Sequence, residues 1–169
     1  MQLQHHNAKF KKRNFPILLV CDNVTKAPNI GSLFRTAEAF GVEKIIFCGE
    51  YVPIGRRMTK TSRATEKMVD FEVHQNINEV VEDLKAKEFK IISLEINSQS
   101  QAIHKHTIPN QPLALIIGDE NHGISEKILS ISDAILHIEM FGHNSSMNVV
   151  QASAIALYEI SKQFMRNSQ

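Results

Sequence analysis

Four stretches of the chain are apolar at nearly every position: Pro16-Ile-Leu-Leu-Val-Cys21, Lys44-Ile-Ile-Phe-Cys-Gly49, Lys90-Ile-Ile-Ser-Leu-Glu95 and Pro112-Leu-Ala-Leu-Ile-Ile-Gly118. Runs this short and this uniform predict strands covered on both faces, the habit of parallel sheets between helix layers. The first is expected to be central. From Asn29 the apolar residues Ile30, Leu33, Phe34 and Ala37 follow the spacing of a helix face, with Gly41 as the stop. A second amphipathic helix is predicted over 76–89 through Ile77, Val80, Val81, Leu84 and Phe89. Phe71 to His74 alternates as a short strand, and the polar stretch 96–111 reads as a connection with a short helical turn near Ala102. After Gly123 come a short helix capped by Ser125, a strand over 134–138 and a long helix over about 147–165. Strands alternating with helices give an α/β fold with a mainly parallel sheet.

At 169 residues with 43% hydrophobic content, the chain can bury one real core, and no second domain fits. The division expected is a basic arm over 1–15 and one domain over 16–166. The formal net charge is only +1, so what matters is where the charges fall. The arm holds Lys9, Lys11, Lys12 and Arg13 with no acid. The segment 56–67 holds Arg56, Arg57, Lys60, Arg63 and Lys67 against Glu66 alone. Both patches admit two readings, a solvated tail or helix face and a contact with RNA phosphates, which clustered cations bind by releasing counterions. The two cysteines, Cys21 and Cys48, end apolar runs, where a thiol behaves as a small buried hydrophobe, and they build no metal motif. There is no signal-peptide pattern and no run of membrane-spanning length, so a cytoplasmic, reduced protein is expected.

Three polar segments carry candidate chemistry. Asp22-Asn-Val-Thr-Lys-Ala-Pro-Asn29 leads into the first helix, where Arg35 lies off the apolar stripe. The residues three and four before it, Ser32 and Gly31, are small, which predicts an open pocket through which the guanidinium reaches back toward Asn29. A surface arginine paired with Glu38 is the plainer reading. Gly118-Asp-Glu120-Asn-His-Gly123 closes the fourth apolar run, its glycines allowing a sharp turn and close backbone approach to a ligand. Phe141-Gly-His-Asn-Ser-Ser146-Met-Asn148 opens the last helix with small hydroxyl and amide groups, which suit an electron-rich ligand atom but cap surface helices equally well.

Taken together, in this order and spacing, the three segments resemble the signature motifs of the SpoU family of RNA ribose 2′-O-methyltransferases, from about Pro16 to Ile160. The first segment is most similar to the tRNA guanosine branch. The resemblance implies a deep C-terminal trefoil knot around S-adenosylmethionine, an RNA substrate with tRNA ahead of rRNA, and a homodimer through the last helix with RNA bound across both subunits. Residue by residue, it implies catalytic or positioning roles for Asn29, Arg35, Glu120, Ser146 and Asn148, and cofactor contacts by Gly118, Ile138 and Met147. Leu94, at the end of the third strand, is expected in the same pocket. Met147 stands where the family usually has Leu, a change that conserves volume. The family's arginine has been proposed as a base, but a guanidinium keeps its proton at neutral pH, so a charged Arg35 gripping a phosphate and steadying the alkoxide is preferred. His122 and His143 flank the expected site as alternative bases. The transfer itself needs no metal. Rival readings are a noncatalytic RNA-binding module on the same fold and a nicotinamide oxidoreductase; the latter lacks a Gly-x-Gly-x-x-Gly after the first strand.

Overall fold

A computed structural model describes residues 11–120, 122–143 and 146–167. In chain order the elements are β1 (Phe15–Asp22), α1 (Ala27–Ala39), β2 (Val42–Cys48), α2 (Arg56–Ser62), β3 (Asp70–His74), α3 (Ile77–Ala86), β4 (Lys90–Leu94), β5 (Gln101–Ala102), β6 (Leu113–Gly118), α4 (Glu126–Ile131), β7 (Ala134–His137) and α5 (Val149–Arg166). The strands form one seven-stranded sheet in the order β3-β2-β1-β6-β4-β7-β5, and every pairing is parallel. β6 and β7 each enter between two strands laid down earlier.

The uniform apolar runs are explained by burial on both sides. In β1, Ile17, Leu19 and Cys21 face a core shared with α1, α2 and α5, while Leu18 and Val20 face a second core shared with α3 and α4. Cys21 and Cys48 fall in different cores and are free thiols. Burial pushes both upward, Cys48 to about 12, which removes them from thiolate chemistry at neutral pH.

The register places the site. Asp22 pairs with Gly118, and Leu94 pairs with Ile117 and Leu136, so the carboxyl ends of β1, β6, β4 and β7 open on one edge of the sheet. That edge is where open α/β sheets place ligands.

Helix α1 starts at Ala27, two residues before the predicted start, with Lys26 as its N-cap residue and Pro28 in the first turn. Proline is tolerated there because its missing N–H would have no helical partner. The expected helical turn near Ala102 is a 3-10 turn over Ile103–Lys105, preceded by the two-residue strand β5, too short to leave a periodic signal.

Gly31 does not open a pocket for Arg35; α2 fills the space. A Cβ at Gly31 would collide with the Met58 carbonyl oxygen and lie 2.8 Å from Thr61 Cβ and 2.9 Å from Ser62 N. Phe34, one turn on, is fully buried with its ring 5.6 Å from Phe47 and 5.2 Å from Phe71. Because the clash at Gly31 is with backbone, Gly31→Ala is expected to destabilise the fold by about 1–3 kcal/mol. Urea unfolding checks this, with Ser32→Ala as a control within about 0.5 kcal/mol; a neutral Gly31→Ala would refute the packing described.

Candidate active site

Strand β6 runs out at Gly118 into a turn closed by the Gly123 N–H donating to the Asp119 carbonyl at 2.8 Å. The two glycines let the turn fold flat on itself, since a Cβ at Gly118 would run into the Gly123 backbone. Gly123 has φ +64°, and its missing side chain makes room for the Glu95 carboxylate from the end of β4. Glu95 ties the turn down, accepting the Ile124 N–H at 3.1 Å on one oxygen and the Ile96 N–H at 2.9 Å on the other.

Beside this turn lies a cavity of about 580 Å³. Leu94, Ile117, Gly118, Ile138, Met147 and Val149 supply an apolar wall, and Glu95, Asp119, Glu120 and Glu126 supply carboxylates. Among the described residues, no lysine or arginine lines it. A pocket with apolar walls and several carboxylates suits a flat apolar body carrying positive charge.

Glu120 belongs both to the cavity wall and to a polar cluster behind it. One carboxylate oxygen accepts from Asn148 Nδ2 at 2.7 Å and from Asn29 Nδ2 at 3.3 Å, and the other is ion-paired with Lys26. Asn148 Nδ2 also approaches Asn29 Oδ1 at 3.5 Å. Asn148 is the N-cap of α5, its Oδ1 accepting the Val150 N–H at 2.9 Å, and the Val149 N–H also bonds to Glu120. The Lys26 hydrogen bond, with the backbone and Asn29 donors, holds the Glu120 carboxyl below its usual range, although partial burial works against it. Reciprocally, Glu120 raises Lys26.

The structure therefore brings Asn29, Glu120 and Asn148 into one hydrogen-bonded group, and puts Ser146 on the cavity wall next to Met147. Leu94, Gly118, Ile138 and Met147 line the same cavity. Arg35 does not line it. Six residues past Asn29, Arg35 stands roughly 9 Å along the helix axis and about 120° around it. It is exposed, one turn beyond Gly31. The space beside Gly31, expected to be open to Arg35, is filled by α2.

Arg56, Arg57, Lys60 and Arg63 are exposed on and just after α2, while Met58 and Ser62 anchor that helix inward. Lys11, Lys12 and Arg13 are exposed ahead of β1, with Arg13 5.0 Å from the centre of the Phe15 ring. Lys9 lies outside the described residues. His122 lines the cavity and contacts Asp119 at 3.0 Å, and His143 lines an adjoining hollow. Two residues escaped the sequence reading, Lys26 and Glu95. Lys26 stands three residues before Asn29, one helical turn away, and Glu95 ends an apolar strand. A charge at either place was the only signal.

Comparison with known proteins agrees with this geometry. The model of the SpoU rRNA Methylase family matches residues 16–158. An uncharacterized tRNA/rRNA methyltransferase of Synechocystis sp. is 32% identical over 88% of this chain and 38% of its own length. The tRNA (guanosine(18)-2'-O)-methyltransferase of Escherichia coli K12 is 29% identical over 89% of this chain and 66% of its own. The crystal structure of the A. aeolicus TrmH/SpoU tRNA modifying enzyme superposes with a TM-score of 0.83 at 26% identity, covering 93% of this chain and 79% of that one. The chain thus spans less than two thirds of the length of these two curated relatives. With the family model matching nearly end to end over the strands, turns and helix caps that build the cavity, the chain belongs to the SpoU rRNA Methylase family.

Proposed function

We propose that this chain is an S-adenosylmethionine-dependent methyltransferase acting on a ribose 2′-hydroxyl of RNA, with tRNA, and guanosine within it, ahead of rRNA as substrate. The observation that carries the reading is the double membership of Glu120, which faces the cavity while binding Asn29 and Asn148 from two distant segments. S-adenosylmethionine, once bound, supplies an electrophilic methyl group on a sulfonium. The residues present fit it: Leu94, Gly118, Ile138 and Met147 would hold the adenosine, and the carboxylates of the wall suit its positive charge.

The work left to the protein is positioning and charge. Glu120, tied to several donors and held ionised, is a poor proton acceptor; it orients the two asparagines and the start of α5. Ser146, on the wall beside Met147, would meet the ribose. Arg35, exposed on α1, grips RNA phosphate together with the exposed Arg56, Arg57, Lys60 and Arg63. Lys11, Lys12 and Arg13 extend the same function from the arm. The family's trefoil knot would be threaded around β6 and β7, the two strands inserted between earlier ones. On α5, Ile155, Tyr158 and Met165 form an exposed apolar stripe at helical spacing, the surface on which a second copy would close the homodimer. No described helix is long and apolar enough to cross a membrane. The buried free thiols suit the reducing cytoplasm, where we place the protein.

Isothermal calorimetry is expected to show one S-adenosylmethionine site per chain, and a labelled methyl group is expected in bulk tRNA at ribose 2′-oxygen on nucleoside mass spectrometry. Label in rRNA alone would select the rRNA reading, and binding without transfer to either RNA would select a noncatalytic RNA-binding role.

Arg35→Lys is expected to lower kcat/KM for tRNA by about tenfold or more while leaving cofactor affinity unchanged, because the planar fork is lost and the charge kept. Near-full turnover would contradict the bidentate role.

Glu120→Gln separates orientation from proton transfer. A depressed carboxyl contributes stability above its unfolded-state range and loses it as pH falls through the folded-state value. The stability gap between native protein and variant, measured by urea unfolding, is therefore expected at neutral pH and to close on acidification below the usual carboxylate range. A gap independent of pH would contradict the ionised hub.

A further inference from the structure

We propose that Lys26 is a positioning residue of this site, fixing through its ammonium group the orientation in which Glu120 meets Asn29 and Asn148. The inference rests on the methyl-transfer reading above and adds to it a residue outside the motif positions carried over from the family.

Lys26 is an odd choice for where it stands. It is the N-cap residue of α1, a position that favours short side chains able to accept a backbone N–H, and it makes no such cap. A cation also sits badly against the positive end of a helix dipole, and the first turn of α1 holds no acidic residue to compensate. The compensating anion comes from another element, Glu120, ninety-four residues on. A position that breaks the local rule for helix starts, and whose side chain is spent on a long-range contact, points to function over folding.

The contact closes the cluster. Glu120 already accepts from the α5 side through Asn148 and the Val149 N–H, and Lys26 takes the other oxygen from the α1 side. The remaining charged groups facing this corner are Asp119, the next residue back, and His122, which contacts Asp119. With no lysine or arginine on the cavity wall and Arg35 on the far flank of α1, Lys26 is the cation at this corner among the described residues. Its side chain is 56% exposed, so the ion pair adds little to global stability. What it adds is direction: without it the carboxylate can turn away from the asparagines, and it faces Asp119 uncompensated.

The test compares wild type, Lys26→Gln and Lys26→Arg by two readouts. One is the Glu120 side-chain carboxyl followed by NMR through an acid titration; the other is the pH profile of kcat/KM on tRNA. Lys26→Gln is expected to raise the Glu120 midpoint, to move the acid limb of the profile upward with it, and to lower kcat by about tenfold. Its stability at neutral pH is expected to fall by no more than the pH-dependent gap of Glu120→Gln, since it removes only the Lys26 share of the Glu120 shift, and Lys26→Arg is expected to restore both readouts. A Glu120 titration unmoved in Lys26→Gln, a fall in rate with an unmoved acid limb, or failure of Lys26→Arg to rescue would each overturn the proposal. If the wild-type protein methylates no RNA, the functional reading fails, while the titration still decides whether Lys26 governs Glu120.

Discussion

A carboxylate set at the starts of two helices meets more hydrogen-bond donors than it has oxygens, and it stays ionised because all of them favour its charge. Glu120 occupies such a place. It receives Lys26 and Asn29 from the start of α1, and Asn148 and the Val149 N–H from the start of α5. Three segments that are remote in the chain are held together there by charge-assisted hydrogen bonds, which are shorter and stronger than neutral ones. The cavity beside Glu120 inherits its shape from that junction, because Ser146 and Met147 on its wall lead directly into the capped turn of α5.

Backbone geometry decides where the junction can form. The parallel register brings Gly118, Leu94 and Leu136 to one edge of the sheet, and two glycines allow the turn after β6 to fold back without a Cβ collision. Glu95 then fastens that turn to β4 through two backbone N–H groups. The result is a rigid floor of backbone under an apolar wall, with carboxylates placed around it by the end of β4, the turn after β6 and the start of α4.

Much of this architecture is legible in the residues themselves. The apolar runs of β1, β2, β4 and β6 are read directly from their uniformity, because each is covered on both faces. Asn29, Glu120 and Asn148 were named from the resemblance, and the fold joins them. What a linear reading missed is tertiary. Gly31 looked like open space because its smallness is visible in sequence, while the backbone of α2 that fills it is not. Arg35, assigned to the site by the resemblance, does not line the cavity. β5 is two residues long and owes its existence to pairing with β7. Lys26 carried no signal of its own, since a lysine before a helix reads as solvated until its partner far along the chain is seen.

The most direct test of the junction is a crystal structure of the protein with S-adenosylmethionine bound. The account predicts the adenosine against Leu94, Gly118, Ile138 and Met147, with Glu120 still bonded to Asn29 and Asn148 at the mouth of the cavity. A cofactor seated elsewhere, or a Glu120 side chain turned away from both asparagines in the complex, would contradict it.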